Sequence, residues 1–140
     1  MSDRGFRLTV LTQEKAVLDE QALSIVAPGS EGYLGILRDH APLATRLVPG
    51  KLTVKDLSGD EKVYAVSGGF LEVSHNTVTI LADALERPED IDAARAEAAA
   101  KRARERLEHR GPDVDVERAE AALRRALNRL GVRRSELASR

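Results

Sequence analysis

Asp92 and Arg95 stand three residues apart, Arg95 and Arg102 seven, and Arg125 and Arg129 four. On helices, each of these sets lies along one side. If the two helices pair antiparallel, those sides could converge, offering several guanidinium donors to phosphates and a carboxylate to a hydroxyl or amino group. The bland alternative is a solvated face with local ion pairs, and spacing alone favours it.

The rest of the chain offers little for bond chemistry. His40, His75 and His109 are far apart with no ligand spacing, and Ser67, Ser74 and the threonines have no base at a readable distance. The segment GSEGYLG at 29–35 lacks the terminal Lys-Ser or Lys-Thr of a phosphate-binding loop, so it reads as a turn or bulge. Gly68-Gly69 reads as a place where backbones approach closely. With no cysteine, disulfide frameworks and thiolate chemistry are excluded. A catalytic site, a metal centre and an enzymatic role are therefore not expected.

Two kinds of element must position these residues. From Phe6 to Ala82 the sequence alternates apolar and polar residues in short runs, FRLTVLT, KLTVKDL, EKVYAVSG and NTVTILA, separated by turns such as SGD at 58–60 and SHN at 74–76. Strands of this kind bury one face against a second sheet, which predicts a sandwich or flattened barrel. At Glu86 the period changes. Pro88 suits a first helical turn, Glu89, Asp90 and Asp92 suit its positive end, and the helix is expected to reach about Arg110. GPDVD at 111–115 breaks it, and a second helix is expected to run to about Leu130, ended by Gly131. So short a connection predicts an antiparallel hairpin. The second helix has an apolar seam at Val116, Ala119, Leu123, Ala126 and Leu130; the first offers mainly Ile91, Leu107 and alanines, which give helicity but little buried area. Two readings stay open: a stable cap on the sheet domain, or a hairpin held weakly enough to move.

The 140 residues carry a formal net charge of -1, and no apolar run approaches the roughly 20 residues that cross a bilayer. The start, MSDRGFRLTV, lacks the apolar stretch of a signal peptide. Residues 1–85 hold 8 basic against 11 acidic side chains, and residues 86–140 hold 14 against 12. Neither balance is that of a general nucleic-acid binder.

In ordered combination, GYLGILRDHAPLATRLVPG at 32–50, VSGGFLEVSHNTVTILAD at 66–83, ERPEDIDAARAEAAAKRARERL and RAEAALRRALNRL resemble the epsilon subunit of bacterial F-type ATP synthase, counterpart of the mitochondrial delta subunit. The resemblance covers nearly the whole chain. It implies a mainly β protein with an α-helical appendage: a ten-stranded β-sandwich over 1–85 that binds the gamma stalk and the c-subunit ring, then a regulatory two-helix hairpin over 86–140. It also implies a non-catalytic subunit of a proton-translocating rotary motor, peripheral on the cytoplasmic side of the cell membrane. The hairpin, when extended, would meet the alpha and beta subunits and restrain ATP hydrolysis.

Some members of that family bind ATP in the folded hairpin through a pattern ID-x-x-R-A, which stands here as IDAARA, from Ile91 through Asp92 and Arg95 to Ala96. The remaining positions fall on Glu86, Arg102, Arg125 and Arg129. By this resemblance the four arginines would hold phosphates or fix the packing around them. Asp92 would engage the nucleoside side or orient an arginine, and Glu86 would tie the domains together. ATP is then a regulatory ligand, and no tightly bound metal is implied. The rival readings are the same subunit with a purely structural cap, and a freestanding small-molecule-binding β-domain.

Overall fold

The computed structural model describes residues 4–138, and the outermost ends of the two expected regions, 1–3 and 139–140, lie outside the described residues. The chain divides into two compact units, Met1–Glu86 and Arg87–Arg140.

Among the described residues the first unit holds nine strands: β1 Phe6–Leu11, β2 Ala16–Gly29, β3 Gly32–Leu37, β4 Leu43–Leu47, β5 Gly50–Asp56, β6 Glu61–Val66, β7 Gly69–Ser74, β8 Thr77–Ala82 and β9 Leu85–Glu86. They hydrogen-bond in the order β1-β8-β7-β4-β2-β5-β6-β9, with β3 also on β2 and β1 closing back onto β2. All pairs are antiparallel except β1–β8, where Arg7 to Leu11 run beside Thr77 to Leu81 in parallel. Against the ten strands that the resemblance implied, nine stand among the described residues, the longest being the unbroken 14-residue β2. Its first half pairs with β1, Ala22 opposite Phe6. Its second half pairs with β3 and β5, Ile25 opposite Ile36 and Val54. The register slips between Ala22 and Ser24, a bulge where the strand leaves one partner for the next.

Alternation does what period two requires. Leu8, Val10, Ile25, Ile36, Leu52, Val54, Val66, Leu71, Val73, Val78 and Ile80 are buried in one cluster between the layers. Each such side chain contributes roughly 1.5–3 kcal/mol relative to exposure. Turns follow from local chemistry. His75 and Asn76, with φ of 49° and 55°, form a two-residue connection whose left-handed backbone conformation matches the right-handed twist of the flanking strands. Asp56 holds the next turn, its Oδ1 accepting from the amides of Ser58 and Asp60. Gly69 is where backbones do approach: φ is 139°, and an added Cβ would lie 2.0 Å from the Leu81 carbonyl oxygen.

The second unit begins with a single 3-10 turn at Pro88–Asp90, followed by α1 Ala93–Glu108 and α2 Val116–Ala138. Pro88 therefore opens its own turn, and the N-cap of α1 is Asp92. Its Oδ1 accepts from the Arg95 amide at 3.0 Å. Asp115 caps α2 in the same way, accepting from the Arg118 amide at 3.0 Å. The expected stop at Gly131 is overturned: α2 passes through it and continues to Ala138. Glycine costs a helix interior only about 1 kcal/mol, less than the packing of the residues beyond it supplies. Val132, next to Gly131, is wholly buried.

Candidate functional site

α1 buries Ala96, Ala100 and Ala103, and α2 buries Ala119, Ala126 and Val132. The two helices pack on each other, and the end of α2 also packs on the Pro88–Asp90 turn. Alanine seams let helix axes come close and cost nothing in side-chain entropy, but they remove little apolar area from water. The second seam is reinforced by half-buried Val116, Leu123 and Leu130.

Arg133, near the end of α2, donates from its guanidinium to the Ile91 carbonyl oxygen at 2.8 Å. The end of the second helix thus returns to the start of the first, and the pair is antiparallel. With the helices antiparallel, Arg125 and Arg129 on α2 belong to the stretch that runs back along α1, which carries Arg95 and Arg102. On α1, Arg95 and Arg102 precede the buried Ala96 and Ala103 by one position each, which turns them about 100° from the seam. Arg125 precedes buried Ala126 on α2 in the same sense. In antiparallel helices such offsets lie toward the same side of the pair, which is the side that helical spacing gives Arg95, Arg102 and Arg125.

Arg95, Arg102 and Arg125 are exposed and Arg129 is half-buried. Arg102 also lines an open groove with Glu105, Arg106, His109 and Val114 near the helical connection. Asp92 sits at the α1 end of the same flank, one carboxylate oxygen engaged in capping. Ile91 is buried with 1% of its surface exposed, so its part in the IDAARA pattern is packing. Glu86 belongs to the first unit, in β9, half-buried and opposite Ala65 of β6. Among the described residues no group of three His, Cys, Asp or Glu side chains could hold a metal ion. No helix among them is long and apolar enough to cross a membrane.

This two-unit arrangement matches two family models end to end. Residues 5–88 match the ATP synthase delta/epsilon chain beta-sandwich domain, and residues 89–133 its long alpha-helix domain. The chain belongs to the delta/epsilon chain family of ATP synthase. It is 52% identical over 107 residues to the ATP synthase epsilon chain of Pelotomaculum thermopropionicum, covering 76% of this chain and 79% of that one. It is 54% identical over 112 residues to the epsilon chain of Carboxydothermus hydrogenoformans, covering 80% and 82%. Among solved structures, a chain of the Euglena gracilis mitochondrial ATP synthase, OSCP/F1/c-ring, superposes with a TM-score of 0.82 at 26% identity, covering all of this chain and 84% of that one. A chain of the Tetrahymena thermophila mitochondrial ATP synthase central stalk and c-ring shares the fold, with a TM-score of 0.56 at 20% identity.

Within the family fold, one residue escaped sequence reasoning. Arg133 lies beyond Gly131, where the helix was expected to have ended, so it had no place in a site. The signal that could have found it is its spacing of four from Arg129, which continues the arginine row by one turn.

Proposed function

We propose that this chain is the epsilon subunit of a proton-translocating F-type ATP synthase, held peripherally at the cytoplasmic side of the cell membrane through the complex. Its sandwich joins the gamma stalk to the c-ring, and its hairpin restrains ATP hydrolysis when it extends toward the alpha and beta subunits. ATP bound to the folded hairpin draws molecules away from that inhibitory position.

The observation that supports the regulatory part is the buried alanine seam of the helix pair, beside which helical spacing sets Arg95, Arg102, Arg125 and Arg129. Guanidinium forks suit phosphate oxygens, and several together neutralise a triphosphate. Because the seam is thin, ligand energy counts: a ligand present at a hundred times its Kd stabilises the state it binds by about 2.7 kcal/mol. Asp92 would face the nucleoside side and Glu86 would link the sandwich to the hairpin. The coupling part is supported by apolar side chains left outside the core. Phe70 and Leu81 lie opposite each other on β7 and β8 with 57% and 53% of their surfaces exposed, and Tyr33 and Leu37 stand out from β3. Such patches mark surfaces that a partner covers.

Calorimetric titration of the full chain with ATP, with and without magnesium, tests the regulatory reading. One-to-one saturable binding, weakened about tenfold or more in Arg95→Ala and in Arg125→Ala, is the expected result. Wild-type protein that takes up no heat at millimolar ATP would leave the hairpin as a structural cap on the same subunit. The contact between Arg133 and the start of the hairpin is the observation that favours that second reading.

A further inference from the structure

The guanidinium of Arg133 does more than touch Ile91. The same Nη1 lies 3.4 Å from the Pro88 carbonyl oxygen and 3.5 Å from that of Glu89, with the Ile91 bond at 2.8 Å the short one. These carbonyls belong to the turn before α1 and to the residue that ends it, where the Asp90 amide donates to the Arg87 carbonyl and the Ile91 amide to the Pro88 carbonyl. A turn this short does not hold itself, since few backbone bonds offset the entropy of fixing it. Ile91, which supplies the short acceptor, and Val132, next to Arg133, are both buried. The residue after Ile91 is Asp92, the cap that starts α1, and Arg95 follows one turn later.

We propose that Arg133 is a positioning residue for the nucleotide flank: it clamps the backbone from Pro88 to Ile91, fixing where α1 begins and hence where Asp92 and Arg95 point. Because it sits beyond Gly131 on the last turns of α2, it makes that geometry conditional on the hairpin being closed. An α2 that swings away or frays at its end releases the turn, and the arginines on α1 lose their register with those on α2. The proposal rests on the nucleotide reading for its consequence, while the clamp itself is observable without nucleotide.

The experiment uses the full chain, with Arg133→Ala, Arg133→Lys and, as a packing control, Val132→Ala. Without nucleotide, hydrogen exchange at the Ile91 and Asp90 amides should rise about tenfold in Arg133→Ala and be partly restored in Arg133→Lys, which keeps a donor but loses the fork. Exchange unchanged in Arg133→Ala overturns the clamp. So does a Val132→Ala variant that raises exchange there as much as Arg133→Ala at equal loss of melting temperature, since packing alone would then account for it. With ATP, affinity should fall about five- to tenfold in Arg133→Ala, with Arg133→Lys between it and wild type. Equal affinities overturn the positioning role. Wild type that binds no ATP removes the nucleotide reading and Arg133's service to it, and the exchange data then decide the clamp by themselves.

Discussion

Asp19 shows how the chain spends its charges where they are needed. Arg7 on β1 forks onto it across the pair, Nε to Oδ1 and Nη2 to Oδ2, both at 3.0 Å. The hydrogen bond from Arg7 holds the Asp19 carboxyl below its ordinary value, and the same bond raises Arg7. A depressed folded value means that the pair's contribution is present above the unfolded carboxylate range, about 3.9, and is lost as pH falls through the lower folded value. An NMR titration of the Asp19 carboxylate should give a midpoint below that of a free aspartate and move up in Arg7→Ala; an unmoved midpoint would show that solvent has already screened the pair. Asp92 has a sharper division of labour. Its capping bond to the Arg95 amide predicts that Asp92→Ala loses about 1 kcal/mol of hairpin stability, while Asp92→Asn, an equally good cap, loses little. ATP titration of the Asn variant then isolates the charge. The arginines and the aspartate could be picked out of the sequence because helical spacing is arithmetic. What spacing could not give was how the helix ends meet, which involves Arg133, a residue that bonds to main-chain oxygens and so leaves no side-chain partner to read.

The elements differ in how openly they are written. Strands β5, β7 and β8 follow an alternation plain in the sequence, because a half-buried strand must place every second side chain inward, whereas β6 buries Tyr64, Ala65 and Val66 in succession. β2 was obscured because it changes neighbours midway: its residues 24–29 pair with β3 while 16–22 pair with β1, so no single face is buried along its whole length. Gly131 misled for a related reason. Glycine stops a helix only where the chain then needs a left-handed residue, and here the buried Val132 keeps α2 going. An added Cβ at Gly131 meets nothing within 4 Å, so Gly131→Ala should raise hairpin stability by roughly 0.5–1 kcal/mol, read as a higher unfolding midpoint without loss of helical signal. A fall instead would mean that the helix is not continuous there. Gly69 should respond oppositely. Its positive φ and the contact with the β8 backbone predict that Gly69→Ala costs roughly 3 kcal/mol in denaturant unfolding, because neither Leu81 nor Ala82 can yield without breaking the β7–β8 ladder.

At the scale of the molecule, the two units stand on unequal foundations. The large apolar cluster draws every member from Phe6 to Ala82, with Leu85 packed against it, so the sandwich owns its core. Among the described residues, the buried side chains of the second unit are five alanines with Pro88, Ile91 and Val132, and each alanine methyl gives well under the roughly 1.5–3 kcal/mol of a buried leucine. That inequality is why composition left both a stable cap and a weakly held hairpin open: it sets how much apolar area is available and not which contacts collect it. It also sets a test of independence. A chain ending after Pro88, where the sandwich family match ends, should keep its β-sheet circular dichroism and unfold cooperatively, since it loses no member of its core cluster. The separated helical segment, residues 87–140, should be only partly helical at the same temperature, because short helices gain most of their stability from packing and this packing is thin. Added ATP should raise the melting temperature of the full chain's hairpin and leave the truncated sandwich unmoved. A sandwich that fails to fold alone would contradict the self-contained core; one that folds but is itself stabilised by ATP would move the ligand off the arginine flank and onto the sheet.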